Sequence, residues 1–150
     1  MKLATALSER ADIQRRISEL GVRLNNNAKV QEGEKPAEDP VELLGELDEC
    51  MNRLEELVAR INRTNNETVS GDVTITDLIA RRDCLKERIR IMREFLNAAS
   101  EQVSRYSKAE IKVLSTVPVA RLQKDVDAYS KQLRETDERI QELNWTTELI

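Results

Sequence analysis

The sequence predicts an all-α fold, an elongated antiparallel four-helix bundle with coiled-coil-like seams and up-down topology. Apolar residues recur at alternating steps of three and four along four stretches of the chain, which places them on one face of a helix. The reverse faces are charged, in keeping with a charged fraction of 35%. Residues that favour turns separate the stretches, and 150 residues fit one domain, residues 1–150.

The first two helices are predicted over residues 3–24 and 41–64. The first has the weaker seam, and the asparagines after it tolerate a left-handed cap. Asp39 as N-cap and Pro40 as the first helical residue open the second. The first seam contains Ala6, Ile13, Ile17, Leu20 and Leu24, and the second contains Leu44, Leu47, Met51, Leu54, Val58 and Ile61.

The third and fourth helices are predicted over residues 77–106 and 118–145. Thr76 caps the third helix, and Arg82 is the one charged residue on its seam. Pro118 lies near the start of the fourth. The third seam contains Leu78, Leu85, Ile89, Met92, Leu96, Ala99, Val103 and Tyr106, and the fourth contains Val119, Leu122, Val126, Tyr129, Leu133, Ile140 and Leu143.

Alternating helix directions sort the connections into two ends of the predicted bundle. Residues 25–40 and 107–117 lie at one end, and residues 65–75 lie at the other with both termini. Apolar residues alternate in the first two loops, as in short strands. The 25–40 and 107–117 loops are therefore predicted to pair as a small β-ribbon.

Composition disfavours several classes of partner. The net charge of −4 argues against nucleic acid, because such binding needs a surplus of cations. No apolar run approaches the roughly 20 residues that span a bilayer, so a membrane partner is not expected. The N-terminus does not read as a secretory signal, and Cys50 and Cys84 are expected to be reduced thiols. These features predict a cytoplasmic location.

Catalysis finds little support in the residue types. The chain has no histidine, so the usual general base and the commonest transition-metal ligand are absent. No predicted seam position is a carboxylate, as a di-iron bundle would require. Cys50 could be a redox thiol, although a small buried hydrophobe is the commoner use of such a residue. The sequence predicts no enzyme, no catalytic or metal-binding residue and no cofactor.

Charge is distributed unevenly along the chain. Residues 31–56 include ten acidic and two basic side chains, whereas residues 81–93 include six basic and two acidic ones. Complementarity between the second and third helices explains both stretches. The alternative is that the basic stretch binds an anion, although it lacks a glycine-rich cradle.

Two polar clusters are candidate sites. The first is predicted where the second and fourth helices end and the third begins, and helix capping is its simpler explanation. Its members are Asn62, Arg63, Asn65, Arg82, Asn144 and Trp145. The second cluster is predicted at the opposite end, from Glu32, Arg105, Tyr106 and Lys112.

At these clusters the sequence resembles the septicolysin-like family of small, largely uncharacterised bacterial helical proteins. The resemblance extends over nearly the whole chain. It includes the segments 1–4, 10–12, 27–33, 38–40, 61–65, 80–83, 105–107, 110–112 and 143–145. The family name implies a cytolytic, pore-forming activity, but the resemblance brings no catalytic or binding residue to this sequence.

The sequence thus favours a non-enzymatic structural or interaction protein that self-associates as a dimer or larger homo-oligomer. Long, narrow seams gain burial when helices from several copies pair. A pore-forming or cytolytic protein is the alternative, as the family name implies. A binder of a small anionic ligand at a polar bundle end is the weaker alternative.

Overall fold

A computed structural model describes residues 1–101 and 111–150, and this part of the chain is all-α. Its helices are α1 (Leu3–Asn26), α2 (Pro40–Glu67), α3 (Ile75–Ser100) and α4 (Val119–Thr146). The predicted fold class and its four helices are confirmed, with bounds shifted by a few residues. The third helix was predicted to reach residue 106. It ends at Ser100, and residues 102–110 lie outside the described part.

A small antiparallel ribbon connects α2 to α3. Strands β1 (Val69–Ser70) and β2 (Val73–Thr74) pair around a two-residue turn, in which Gly71 has a φ of +67°. Glycine adopts this left-handed conformation without a steric penalty. The ribbon was predicted in the wrong place, because residues 27–39 and 111–118 form no strand. The apolar alternation there is too short to specify pairing, whereas the Gly71 turn brings its two strands together.

The chain divides into two compact units. The first contains residues 1–74 and 142–150, and the second contains residues 75–141. The single domain over residues 1–150 and the up-down arrangement of all four helices stay predictions.

In the first unit, α1 packs against α2 through leucine-rich seams. Leu20 and Leu57 are fully buried, and removing each from water contributes about 1.5–3 kcal/mol. Further buried seam residues are Leu3 and Ala6 of α1 and Leu43, Cys50 and Ile61 of α2. Ile13, Ile17, Leu24 and Leu47 pack against this core.

The predicted seam of α2 was partly wrong. Leu44 and Met51 were assigned to it, but each is 49% exposed, and the buried positions are one residue earlier, at Leu43 and Cys50. The helix has two overlapping apolar lines of equal period. One line includes Leu43 and Cys50, and the other includes Leu44 and Met51. Periodicity alone cannot decide which of the two faces α1. In the structure the line of Leu44 and Met51 stays exposed.

The second unit buries much of the predicted seams of α3 and α4. Val103 and Tyr106 of the predicted α3 seam lie outside the described residues, and Leu143 belongs to the first unit. Ile89, Leu96 and Val126 form the core of the second unit. Met92, Val119, Leu122, Tyr129 and Leu133 pack around them. Thr136 is a polar residue at a buried position, and its hydroxyl donates to the Gln132 carbonyl at 2.8 Å.

Side-chain caps fix both sides of the connection between α1 and α2. Asp39 Oδ1 accepts from the Val41 amide at 2.9 Å, as expected of an N-cap before Pro40. Asn27 does not adopt the predicted left-handed cap, since its φ is −110°. Its buried amide instead donates to the Arg23 carbonyl at 2.8 Å and accepts from the Glu38 amide at 3.0 Å.

Candidate interaction surfaces

Each helix follows a seven-residue repeat in which the seam occupies positions a and d, flanked by e on one side and g on the other. The α1 seam begins with Leu3 at position a and Ala6 at position d, and the α2 seam includes Leu47 at a and Cys50 at d. In an antiparallel pair, the g positions of the two helices meet at one edge and the e positions meet at the other.

Ion pairs close the g edge of the first unit. Arg53 Nε lies 2.7 Å from Glu9 Oε1, and Arg53 Nη2 lies 3.1 Å from Glu9 Oε2. One heptad further along α1, Arg16 lies 3.8 Å from Glu46. The hydrogen bond with Glu9 raises the pKa of the Arg53 guanidinium. These charges are satisfied within the unit.

Arg23, one heptad after Arg16, completes this edge. Its Nε lies 3.0 Å from Glu38 Oε2, and this hydrogen bond lowers the pKa of the Glu38 carboxyl. Two acids of the stretch 31–56, Glu38 and Glu46, therefore pair with cations of α1. Complementarity between this stretch and the third helix stays a prediction.

The opposite edge of the first unit is open and almost free of charge; we call it the acidic apolar face. Small and apolar residues line it on both helices, and its two charges are carboxylates. It contains Ala4, Leu7, Ala11, Gln14, Ser18 and Gly21 of α1, with Val41, Leu44, Asp48, Met51, Glu55 and Val58 of α2. A shallow depression on the α1 side is lined by Ala11, Gln14 and Ser18, together with the flanking Arg15 and Glu19.

The two carboxylates of this face differ from those of the closed edge. Asp48 and Glu55 are exposed, and none of the ion pairs formed within residues 1–101 and 111–150 includes either of them. Leu44 and Met51, which lie within four residues of these acids on α2, are each 49% exposed. Large apolar side chains next to unpaired acids are typical of a surface that another molecule covers.

The second unit also has one polar and one open edge. At its e edge, Arg93 Nη2 donates to Ser130 Oγ at 3.3 Å. The g edge and its flank form what we call the basic apolar face, where Ile91 is 51% and Phe95 is 46% exposed. The face contains Arg81, Cys84, Arg88, Ile91, Phe95 and Ala98 of α3, with Arg121, Asp125, Ala128, Gln132, Glu135 and Arg139 of α4.

Two arginines on α3 give this face its charge. Arg88 lies over the Tyr129 ring at 4.9 Å, a cation–π contact that positions its guanidinium. Arg81 forms no ion pair within the described residues, and it lines a cleft of about 260 Å³. The other residues lining this cleft are Leu78, Gln132, Glu135, Thr136 and Arg139.

Two other arginines of the basic stretch are paired with acids on their own helix. Arg90 bonds to Glu87 and Glu94 on its own helix, and Arg82 Nε lies 3.0 Å from Asp83 Oδ1. The cleft beside Arg81 is the part of the predicted anion site, residues 81–93, that a concave surface accompanies.

The two ends of the chain meet in the first unit. Lys2 pairs with Glu148 as an antiparallel bridge, and its Nζ lies 2.6 Å from the Glu148 carboxylate. Thr64 is fully buried, and its hydroxyl accepts from the Ile150 amide at 3.0 Å while Arg60 Nε donates to the Ile150 carbonyl at 2.9 Å. This contact was not predicted from the sequence. The available signal was the polar Thr64, three residues after the seam residue Ile61.

The first predicted polar cluster is divided between the units. Arg82 belongs to the second unit, and the other members belong to the first. Asn144 is buried, whereas Trp145 is 66% exposed. Of the remaining members, Asn62 and Arg63 are exposed and Asn65 is half-buried. A hydrogen-bonded cluster of all six stays a prediction.

The second predicted cluster falls partly outside the described residues. Arg105 and Tyr106 lie in the stretch 102–110, which the structure does not describe. Glu32 and Lys112 are exposed loop residues in different units. This cluster also stays a prediction.

The described residues thus define a helical protein whose paired helices leave apolar faces exposed. Residues 10–149 match the family described as "Family of unknown function (DUF6847)", and the chain belongs to that family. It is also similar to a solved structure described as a functionally unknown conserved protein from Corynebacterium diphtheriae. The two share 42% identity with a TM-score of 0.91, over 100% of this chain and 99% of that one. No curated protein matches the chain.

Within the described residues, no helix is long and apolar enough to cross a bilayer. No group of three or more His, Cys, Asp or Glu side chains is placed there to hold a metal ion. Cys50 is a buried free thiol, and Cys84 is an exposed one.

Proposed function

We propose that the protein is a non-enzymatic, cytoplasmic interaction protein that self-associates through coiled-coil packing of its helices. The observation that supports this most is the pair of open apolar faces. Leu44 and Met51 are each 49% exposed, although they lie on a line of the same period as the buried seam. When a neighbouring helix covers only one of two such lines, the apolar side chains of the other line can still be buried by a further helix.

The distribution of charge supports the same proposal. The closed edge of the first unit pairs its charges, and the acidic apolar face leaves Asp48 and Glu55 with no ion partner in the described residues. Because the charges at the closed edge are paired and those of the acidic apolar face are not, we expect a partner to bind at the acidic apolar face. The proposed partner is another copy of the chain, so the protein functions as a homo-oligomer.

Sedimentation equilibrium between 1 and 100 µM tests the proposal. We expect a concentration-dependent mass above that of one chain. Exchanging Leu44 and Met51 for Gln should shift this dependence to higher concentration and leave the circular dichroism spectrum unchanged. The control replaces Glu42 and Glu49 with Gln on the opposite flank of α2, and it should associate like the parent.

One further function has a specific observation in its favour. The cleft beside Arg81 combines a guanidinium that has no ion pair among the described residues, the amide of Gln132 and the apolar Leu78. This set suits a small organic anion such as a carboxylate. Calorimetric titration with citrate and with inorganic phosphate tests it, and binding should vanish in Arg81→Gln. The cytolytic activity implied by the septicolysin-like resemblance stays a prediction, to be tested by dye leakage from liposomes.

A further inference from the structure

We infer that the acidic apolar face of one copy packs against the basic apolar face of a second copy, with α2 antiparallel to α3 of that copy. This inference rests on the proposed self-association and names the surfaces that meet. Both faces are half exposed in the chain itself, as Leu44, Met51, Ile91 and Phe95 show. Neither is therefore covered by the rest of the described residues.

The two faces match in length and period. One extends from residue 41 to residue 58 and the other from residue 81 to residue 98, about 27 Å of helix in each case. Both repeat every seven residues, so the side chains of one helix can fill the gaps of the other along the whole length.

The two faces also match in charge. Asp48 and Glu55 are seven residues apart, and so are Arg81 and Arg88, which gives both pairs a spacing of about 10 Å. An acidic face meeting a second acidic face would repel it, as would two basic faces. Pairing of unlike faces is attractive, and it selects the partner and the register more than it adds affinity.

One antiparallel register brings the apolar residues of the two faces together and also pairs their opposite charges. It places Asp48 opposite Arg88 and Glu55 opposite Arg81. The apolar residues then face one another as Val41 with Phe95, Leu44 with Ile91 and Met51 with Cys84. A shift by one heptad places Asp48 opposite Phe95 or moves Glu55 beyond the arginines. The apolar contacts supply most of the attraction, because exposed ion pairs contribute only about 0–1 kcal/mol.

Two complementary variants test the pairing. The first, D48K/E55K, makes the acidic face basic, and the second, R81E/R88E, makes the basic face acidic. Each variant alone should self-associate at least tenfold more weakly than the parent, because its two faces now carry like charge. An equimolar mixture should recover association, since both contacts between unlike variants are complementary. The control E42K/E49K changes the same charge on the closed flank of α2 and should behave like the parent.

The outcomes separate the two proposals. A parent chain that stays monomeric overturns self-association and this inference together. A parent that associates, with variants that associate equally well or fail to recover on mixing, overturns the pairing of these faces alone. Circular dichroism melting of each variant shows whether it is folded.

Register is tested by oxidation of mixed copies that each have one exposed cysteine. The native Cys84 is first replaced by Ser, and Cys50 stays in place because it is buried. Leu44→Cys in one copy and Ile91→Cys in the other should form a disulfide-linked pair between copies. A mixture of the Leu44→Cys copy with a copy that keeps the native Cys84 should not, because residues 44 and 84 are offset by one heptad in this register. Faster linkage of the second mixture would overturn the antiparallel register.

Discussion

The Thr64 hydroxyl joins the Ile150 amide at 3.0 Å and the Arg60 carbonyl at 2.8 Å, across 86 residues of sequence in the first case. Thr64 is fully buried, so water does not replace these bonds. The C-terminal residues are thereby held against α2 by a polar group in an otherwise apolar seam.

We expect Thr64→Val to lower the free energy of unfolding by about 1–3 kcal/mol, because it leaves the Ile150 amide without its acceptor. Thr136→Val is the matched control. Thr136 is also buried, but its hydroxyl donates only to the Gln132 carbonyl of its own helix, so the change should be within about 0.5 kcal/mol. Urea denaturation of both variants measures the difference, and equal losses would contradict the role given to Thr64.

Truncation on α2 should separate folding from association. Leu57→Ala removes a fully buried side chain and should cost about 2–5 kcal/mol of stability. Leu44→Ala, on the exposed line, should weaken self-association and leave the stability of the dissociated chain within about 0.5 kcal/mol. Denaturation at low protein concentration, combined with sedimentation, measures both. A large loss of monomer stability in Leu44→Ala would show that this line is buried within one chain.

Acid should loosen the contact between the two ends of the chain. The hydrogen bond from Lys2, and then that from the Met1 amino group, lower the pKa of the Glu148 carboxyl in the folded protein. The ionised Glu148 carboxylate therefore contributes its full stabilisation above the pKa of an unfolded glutamate, about 4.3. This contribution is lost as the pH falls through the lower pKa of Glu148 in the folded protein.

Replacing Glu148 with Gln should reduce stability at pH 7 and make the fall in stability below pH 5 shallower. The control is Glu49→Gln, which removes an exposed carboxylate on the closed flank of α2. Thermal melting between pH 2.5 and pH 7 compares the two. The same slope in Glu148→Gln and the parent would rule out this contribution.

Arg82 is a test of the seam in the second unit. It occupies the seam position between Leu78 and Leu85, and its described ion partner is the adjacent Asp83. We expect Arg82→Met to keep or raise the melting temperature, because a flexible apolar side chain extends the seam. Arg90→Met, on the exposed back of α3, serves as the control. A melting temperature several degrees below the parent's would show that the Arg82 guanidinium has a structural partner.

Sequence periodicity predicted the four helices because burial on one helical face repeats at 3.6 residues. It also predicted the Asp39 and Pro40 start of α2, since both act through local backbone chemistry. The α2 seam was displaced by one residue, because Leu43 and Leu44 lie on adjacent lines of the same period. Only the packing of α1 selects one of them.

Long-range polar contacts were not predictable in the same way. The bond between Thr64 and Ile150 and the ion pair between Glu9 and Arg53 join residues 86 and 44 positions apart. No local rule selects one arginine among many as the partner of Glu9. The partner can be identified only when the register of α1 against α2 is known. The sequence does not specify that register until it is known which helices pair.

Light scattering coupled to size-exclusion chromatography tests the central claim most directly. Loaded at 100 µM, the parent chain should elute with a mass of at least twice 17.2 kDa, and the mass should decline on dilution. D48K/E55K and R81E/R88E should each elute with a lower mass, and their mixture should return to the mass of the parent. A parent mass of 17.2 kDa at every concentration would contradict the account.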